Sequence, residues 1–448
     1  MKISHSDSLR TNDHGLRSLM VMGVSGTFAL KITYTALAFL TGIVLARLLG
    51  AKGYGTYAYA ISWITLLGVP AGLGLHQVVV RNVAEYREQK VWDRIHGLLR
   101  FAFVAVLLAS IACLILASGV VWIALDESAS EMRYCLWLAF ILLPIQAVAT
   151  QYGAALAGFQ RIVTSQLPGM LIHPMFFLLL IAVAYVFVQS HISVPYMLVL
   201  YLAAAGIALI SAVVLAKRTV PEAVRANLPT YESRAWMRSA LPLMLMGGMY
   251  IINSNADILM LGTMKGSEMA GVYKAATRGA ELIAFSLAII NPSLAPIITR
   301  LHTSGERQRL QHGITRTARM GLLFAFPVAV TLLCFGNWFL MIFGPEFGEG
   351  RSALSILSTG QLFNVAAGSV GVILIMTGHE TKAAIGVGVS AVANVLLNLM
   401  LIPKWGIEGA ATATTVSLVL WNIILIRYVW KCLGVDPTAL ALWSQRGE

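Results

Sequence analysis

Residues 217–239 read KRTVPEAVRANLPTYESRAWMRS, the longest polar interruption in an otherwise apolar chain. The flanks, residues 1–216 and 240–448, each contain six hydrophobic runs long enough to cross a bilayer. They also resemble each other. Arg17 and Ser18 precede the first run as Arg238 and Ser239 precede the seventh. Gly55 to Tyr57 follow the first run as Gly271 to Tyr273 follow the seventh, and Gly158 precedes the fifth as Gly378 precedes the eleventh. The three pairs share nearly one offset, which predicts a duplicated six-helix unit. An even number of spans gives both copies the same orientation, a parallel repeat. The expected organisation is a six-helix bundle with a cytoplasmic arm over 1–216, a cytoplasmic linker over 217–239, and a second six-helix bundle with a cytoplasmic tail over 240–448.

Composition sets the class. Charged residues make up 12% of the chain and apolar residues 58%, against about 25% charged in soluble domains. Mean hydropathy is +0.77. Runs of about twenty apolar residues at 1.5 Å rise match a hydrocarbon core about 30 Å thick. Backbone in that medium must satisfy itself, so the expected fold is all-α: a polytopic membrane protein of about twelve transmembrane helices around a central cavity. The first apolar segment is long and shows no small-residue cleavage site, so no cleavable signal peptide is expected. The four cysteines are scattered without metal or disulfide spacing and read as packing residues.

The net charge of +12 raises nucleic acid as a partner. Its distribution argues otherwise, because Lys and Arg concentrate in the N-terminal arm, the even-numbered loops and the C-terminal tail. That is the positive-inside bias, and it places both termini in the cytoplasm. No nucleic-acid partner is expected. The outer loops are short, there is no G-x-x-x-x-G-K-[ST] loop, and no His/Cys/Asp cluster has metal spacing. The reading is therefore not an enzyme, with no cofactor and no metal. Pro70, Pro144, Pro174, Pro292 and Pro327 fall within or near the ends of spans and can kink them.

Ionisable groups at bilayer depth cost about 2.5–3.5 kcal/mol each on insertion scales, so they face a cavity or a partner. Span eight carries Lys274, Arg278 and Glu281 at i, i+4, i+7, on one helical face. Span seven carries Tyr250, Asn253 and Asp257 on a similar stripe, and span one carries Thr27, Lys31 and Thr35. The stripes are expected to meet across a cleft between the bundles. Alternatives stand beside each residue. Asp257 could neutralise Lys274 or Arg278, Lys274 could snorkel to the outer surface, and Lys31 could hold a structural hydrogen bond. His173, beside Pro174, could titrate or bond a neighbouring carbonyl. Asn394 and Asn398, one turn apart, read as groups that join helices.

Three stretches carry a family resemblance: ARLLGAKGYGTYAYA at 46–60, NADILMLGTMKGSEMAGVYKAA at 255–276, and NVLLNLMLIPKWGIEGAATATTVS at 394–417. In this order, with twelve spans, the chain resembles the polysaccharide and O-antigen flippases of the multidrug/oligosaccharidyl-lipid/polysaccharide exporter superfamily. The resemblance implies transport of a polyprenyl-diphosphate-linked oligosaccharide across the bacterial inner membrane by alternating access. Its partners would be that lipid-linked oligosaccharide, membrane lipids and other polysaccharide-assembly membrane proteins. Lys31, Lys274, Arg278, Asn253 and Tyr250 are then candidate substrate contacts, and Asp257, Glu281 and His173 candidate ion-coupling groups. The drug-exporting branch of the superfamily is the alternative, though a net basic cleft suits it less. A major-facilitator transporter would carry a glycine-, aspartate- and arginine-rich signature after span two, where this chain reads LHQVVVRNVAEYREQK. A membrane-embedded glycan-modifying enzyme, the less favoured third alternative, would need outer-domain catalytic groups that the short loops lack.

Overall fold

A computed structural model of the chain describes residues 5–125, 129–188 and 192–441, with side chains from Gly26 onward. Among the described residues every regular element is helical. Ten stretches of the described residues are long and apolar enough to cross a membrane. Two of them, Gly26–Gly72 and Glu380–Leu433, run to 47 and 54 residues, about twice what a hydrocarbon core about 30 Å thick requires. Each is broken by one glycine with non-helical backbone, Gly50 (φ 68°, ψ 179°) and Gly406 (φ 55°, ψ −121°). Each therefore crosses twice, and the protein is a multi-pass membrane protein of about twelve helices.

We number these helices α1 (5–49), α2 (51–72, prolonged by Leu75–Glu88), α3 (Trp92–Ala124), α4 (Ser130–Gly158), α5 (Ile162–Phe187), α6 (Val194–Thr219), α7 (Ser233–Lys265), α8 (Ser267–Thr303), α9 (Arg307–Met341), α10 (Pro345–Met376), α11 (380–405) and α12 (407–433). The arm expected before residue 20 is helical from His5, in one piece with α1. Residues 1–4 and 442–448 of the expected arm and tail lie outside the described residues. One end of the molecule carries the 217–239 linker, and the other carries the tight turns at Gly50, Gly266 and Gly406; we call these the linker end and the hairpin end.

At the hairpin end the two flanks share one core. Leu45, Tyr54, Phe177 and Met197 of the first flank pack in a single buried cluster with Tyr273, Ala276, Phe343 and Phe347 of the second. Phe39 of α1 packs tilted against Phe339 and edge-on to Phe343, with ring centroids 5.9 and 5.8 Å apart. At the linker end there are two separate cores, one around Val79, Ile95 and Leu98 that also takes in Trp236 and Ala240 at the start of α7, and one around Ile298, Ile373 and Leu425 within the second flank.

The helix contact that closes the hairpin end is nearly symmetric. A Cβ on Gly55 would lie 1.6 Å from the Ser267 carbonyl oxygen, and one on Gly271 would lie 2.1 Å from the Ala51 carbonyl oxygen. Gly55 and Gly271 are equivalent in the sequence repeat, and so are Ala51 and Ser267 at the same offset. Each glycine thus packs on its partner's counterpart one turn earlier, the reciprocal pattern that a two-fold axis generates. The residues before these helices match as well. Gly50 and Gly266 adopt φ of 68° and 94° with ψ of 179° and 168°, a region open to glycine at little cost.

The linker is docked rather than free. Its Thr230 amide donates to the Asp93 carbonyl at 3.1 Å, and the Thr230 hydroxyl donates to the Asp93 carboxylate at 2.8 Å. Glu232 pairs with Arg94 at 3.3 Å, and Trp236 is buried against Phe101 with its indole N–H toward the Tyr86 hydroxyl. Polar residues supply the exposed face, while Val224 and Trp236 tie it to α2 and α3.

Candidate functional site

Helices α1, α2, α5, α6, α7 and α8 enclose a cavity of about 180 Å³ just below the shared core. The first flank lines it with Tyr34, Tyr54, Tyr57, Tyr201 and His173, and the second with Asn255, Lys274 and Arg278. An adjoining cavity of about 220 Å³ lies between α1 and α8, lined by Tyr34, Thr35, Phe39, Arg278 and Glu281. The α8 stripe therefore behaves as its spacing requires, with all three charged residues on the cavity side. Arg278 Nη1 donates to Glu281 Oε2 at 2.9 Å. Arg278 Nε is buried with no hydrogen-bond partner among the described residues. Lys274 has no carboxylate within ion-pairing distance among them. Two cations against one carboxylate leave the cavity net basic.

His173 follows a one-turn π-helical segment, Pro168–Ile172, and precedes Pro174. Such insertions recur at functional sites, and the imidazole that follows this one stands edge-on to Tyr201, centroids 4.4 Å apart. Its Nε2 is buried without a partner among the described residues. Lys31 is half-buried one turn from Tyr34 and Thr35, on the linker side, and is not among the residues lining either cavity.

The α7 stripe faces elsewhere. Tyr250 meets Trp421 of α12 edge-on at 6.3 Å, and Asn253 accepts a 3.5 Å bond from Ser390 of α11. Asp257 is 4% exposed and lies inside the second flank, not opposite the cations. The expected meeting of Tyr250, Asn253 and Asp257 with Lys274 and Arg278 does not occur, nor does neutralisation of Asp257 by either cation. Instead Asp257 accepts from Asn398 Nδ2 at 2.6 Å, from the Tyr273 hydroxyl at 2.9 Å and from the Thr414 hydroxyl. Asn398 also donates to Asn394 Oδ1 at 3.0 Å, and Asn394 continues to Ser417. The two asparagines thus join α7, α11 and α12. Asn398 Oδ1 is buried with no partner among the described residues. Among the described residues no group of three or more His, Cys, Asp or Glu side chains is placed to hold a metal ion.

The four cavity tyrosines were not among the residues expected from the sequence, where Tyr250 alone of the tyrosines was a candidate contact. Tyr54 and Tyr57 stand at i, i+3 inside the first motif, and Tyr34 and Tyr201 near the middle of their spans. That depth is the signal that separates them from interfacial tyrosines.

Latches across the two flanks close the hairpin end above the cavity. Arg47 donates from Nε and Nη2 to the Ile342 and Met341 carbonyls, both at 2.7 Å, at the C-terminus of α9. Glu346 Oε2 accepts the Ala51 amide at 2.8 Å, at the N-terminus of α2. Each charge sits at the helix end that its sign favours. A basic, aromatic cavity between the two flanks, closed at the hairpin end, is the arrangement that the sequence resemblance implies.

Comparison with known proteins agrees. The chain belongs to the polysaccharide biosynthesis protein family, which it matches over residues 20–302, and it matches the MatE family over residues 242–400. It is 26% identical to the probable flippase AglR of Haloferax volcanii over 203 residues, covering 42% of this chain and only 40% of that protein. A multidrug resistance MATE family transporter of the superfamily in an inward-facing conformation superposes with TM-score 0.74 at 12% identity, covering 90% of this chain and 94% of that one. The lipid II flippase MurJ in an inward closed conformation superposes with TM-score 0.65, also at 12% identity, covering 90% and 87%.

Proposed function

We propose that the protein is a flippase, not an enzyme, that moves a polyprenyl-diphosphate-linked oligosaccharide, a unit of O-antigen or another surface polysaccharide, across the inner membrane. The observation that carries this reading is the cavity between the flanks, with Lys274 and Arg278 on one wall and tyrosines on the other. A diphosphate carries the charge those cations lack, and charge-assisted hydrogen bonds hold it. Tyrosine rings and hydroxyls suit the sugar beside it. The polyprenyl chain stays in lipid while the headgroup crosses.

In this reading residues 1–216 and 240–448 are the two moving bundles, with the docked 217–239 segment tying them together. Both termini and the linker are cytoplasmic, so the structure is closed outward. Opening outward breaks the Arg47 and Glu346 latches and separates Gly55 from Gly271. Asp257 is the coupling group. Its carboxylate is held by the Asn398 amide and the Tyr273 and Thr414 hydroxyls, and a proton taken up there would release those donors and reorganise α7 against α11 and α12. Glu281 holds Arg278 in place between transport cycles, and His173 lines the sugar side.

The test is to disrupt the gene and measure lipid-linked oligosaccharide on each leaflet. Accumulation on the cytoplasmic leaflet, reversed by the wild-type gene and not by Arg278→Ala, is the expected result. Unchanged leaflet distribution would overturn the proposal.

A further inference from the structure

A third cavity, of about 340 Å³, lies between α2, α4 and α7 and nearer the linker end. It adjoins the cationic cavity. Ile61 and Ser62 of α2 line the first and Ile64 and Thr65 the third, while Gln146 lines the third and reaches the Tyr201 side chain of the first. Its chemistry is different. The lining holds no Asp, Glu, Lys or Arg, and its polar groups are His76 and a set of amides and hydroxyls: Gln146, Thr150 and Gln151 of α4 and Thr65 and Gln77 of α2.

Two independent observations mark it as a ligand site. Gln151 is 6% exposed, yet its Oε1 has no hydrogen-bond partner among the described residues. A buried amide oxygen without a donor is costly, and a ligand hydroxyl would satisfy it. The second observation is the wall. Gly68, Gly72 and Gly247 line the cavity, and a Cβ at any of them would meet nothing within 4 Å. Neither close packing nor a positive φ requires glycine there, and glycine inside a helix is unfavourable relative to alanine. What their absent side chains provide is open volume.

We infer that this chamber seats uncharged sugar residues of the lipid-linked glycan while Lys274 and Arg278 hold its diphosphate. Amides and hydroxyls both donate and accept, as sugar hydroxyls do. An acidic sugar would find no fixed counter-charge in the chamber, because burial holds His76, the one titratable group in its lining, below the ordinary imidazole range, and an apolar ligand would leave Gln151 unpaired. The volume falls within the range of about 300–1,000 Å³ typical of small-ligand pockets. The inference rests on the flippase reading and adds a specificity to it: neutral sugars over uronic acids.

The full-length protein, reconstituted in vesicles, would be given three probes. These are a polyprenyl diphosphate bearing one neutral hexose, the same lipid bearing a neutral tetrasaccharide, and one bearing a tetrasaccharide of uronic acids. Transport is read as the rate at which the sugar becomes accessible to an impermeant oxidant. Gly68→Leu and Gly247→Leu fill the chamber and should lower the ratio of neutral-tetrasaccharide to hexose transport about tenfold, as should Gln151→Met, which keeps the volume and removes the amide. Gly119→Leu, at an open position on α3 away from the chamber, should leave that ratio unchanged. Wild-type protein should prefer the neutral tetrasaccharide to the acidic one. Chamber variants with a wild-type ratio, or a wild-type preference for the uronate probe, would overturn the inference while leaving the flippase reading intact. Wild-type protein that moves none of the three probes would overturn both.

Discussion

Gly55→Ala adds one carbon where the two repeats touch. That carbon would stand 1.6 Å from the Ser267 carbonyl oxygen and 2.7 Å from the Gly271 nitrogen. Carbon–oxygen contacts between packed helices settle at about 3.3–3.6 Å, so α2 and α8 must part by roughly 1.5 Å or more at this level. Both obstructing groups are backbone, so no rotamer change relieves the clash. Overpacking of this kind costs about 1–3 kcal/mol. The cost falls on the conformation with the hairpin end closed and vanishes when that end opens. The open population should therefore rise about 5- to 140-fold relative to wild type. Spin labels on the exposed Lys52 and Glu349, one in each flank at the hairpin end, would report this as a growing long-distance component. Gly271→Ala should act in the same direction. The double variant should shift the equilibrium by less than the sum, because the clearance made for one methyl also serves the other. Unchanged distances together with a lowered unfolding temperature would refute the gating role and leave a static packing contact. Unchanged distances and unchanged stability would refute the contact itself.

Lys274→Ala and Arg278→Ala should each slow flipping by about tenfold or more at normal protein levels, since a hydrogen bond to a charged group contributes about 1.5–3 kcal/mol. Arg278→Lys should be milder if charge alone matters, and equally severe if the fork geometry does; wild-type rates in both alanine variants would sink the cationic-cavity mechanism. Asp257→Asn should leave the protein folded and abolish the response of transport to imposed proton and sodium gradients, measured in vesicles. A rate that still rises with either gradient would remove Asp257 from coupling. Gly97→Ala places a carbon 1.9 Å from the Thr230 carbonyl oxygen, so the linker should lift from α3, with stability falling by about 1–3 kcal/mol and protease cutting after Arg225 or Arg234 accelerating. Linker protection equal to wild type would contradict the docking.

Much of the fold was legible because the bilayer narrows the choices. Twenty apolar residues in a row admit one structure, and a turn must follow, so span number and order come directly from hydropathy. The repeat was legible for a subtler reason: Gly55 and Gly271 are both constrained by the same close contact, so the offset that paired them also marked where the flanks meet. The docked linker was harder to see, since its apolar anchors Val220, Val224, Trp236 and Met237 are scattered through a polar stretch. The site divides along the same line. Spacing fixes which residues share a helical face, and for α7 and α8 it did so correctly. It does not fix how a helix is turned about its own axis, because that depends on which neighbour offers the better partners. For α7 the competing offers were both in the sequence: cations on α8, or the Asn394, Asn398, Thr414 and Ser417 groups of the third motif. Two ions taken out of water lose several kcal/mol of hydration each, at least in part uncompensated by their attraction. A carboxylate met by an amide and two hydroxyls buries one ion instead of two and leaves the cations free to face the cavity. The turning of α7 toward α11 and α12 thus follows from the charge balance of the whole bundle, which no single helix displays.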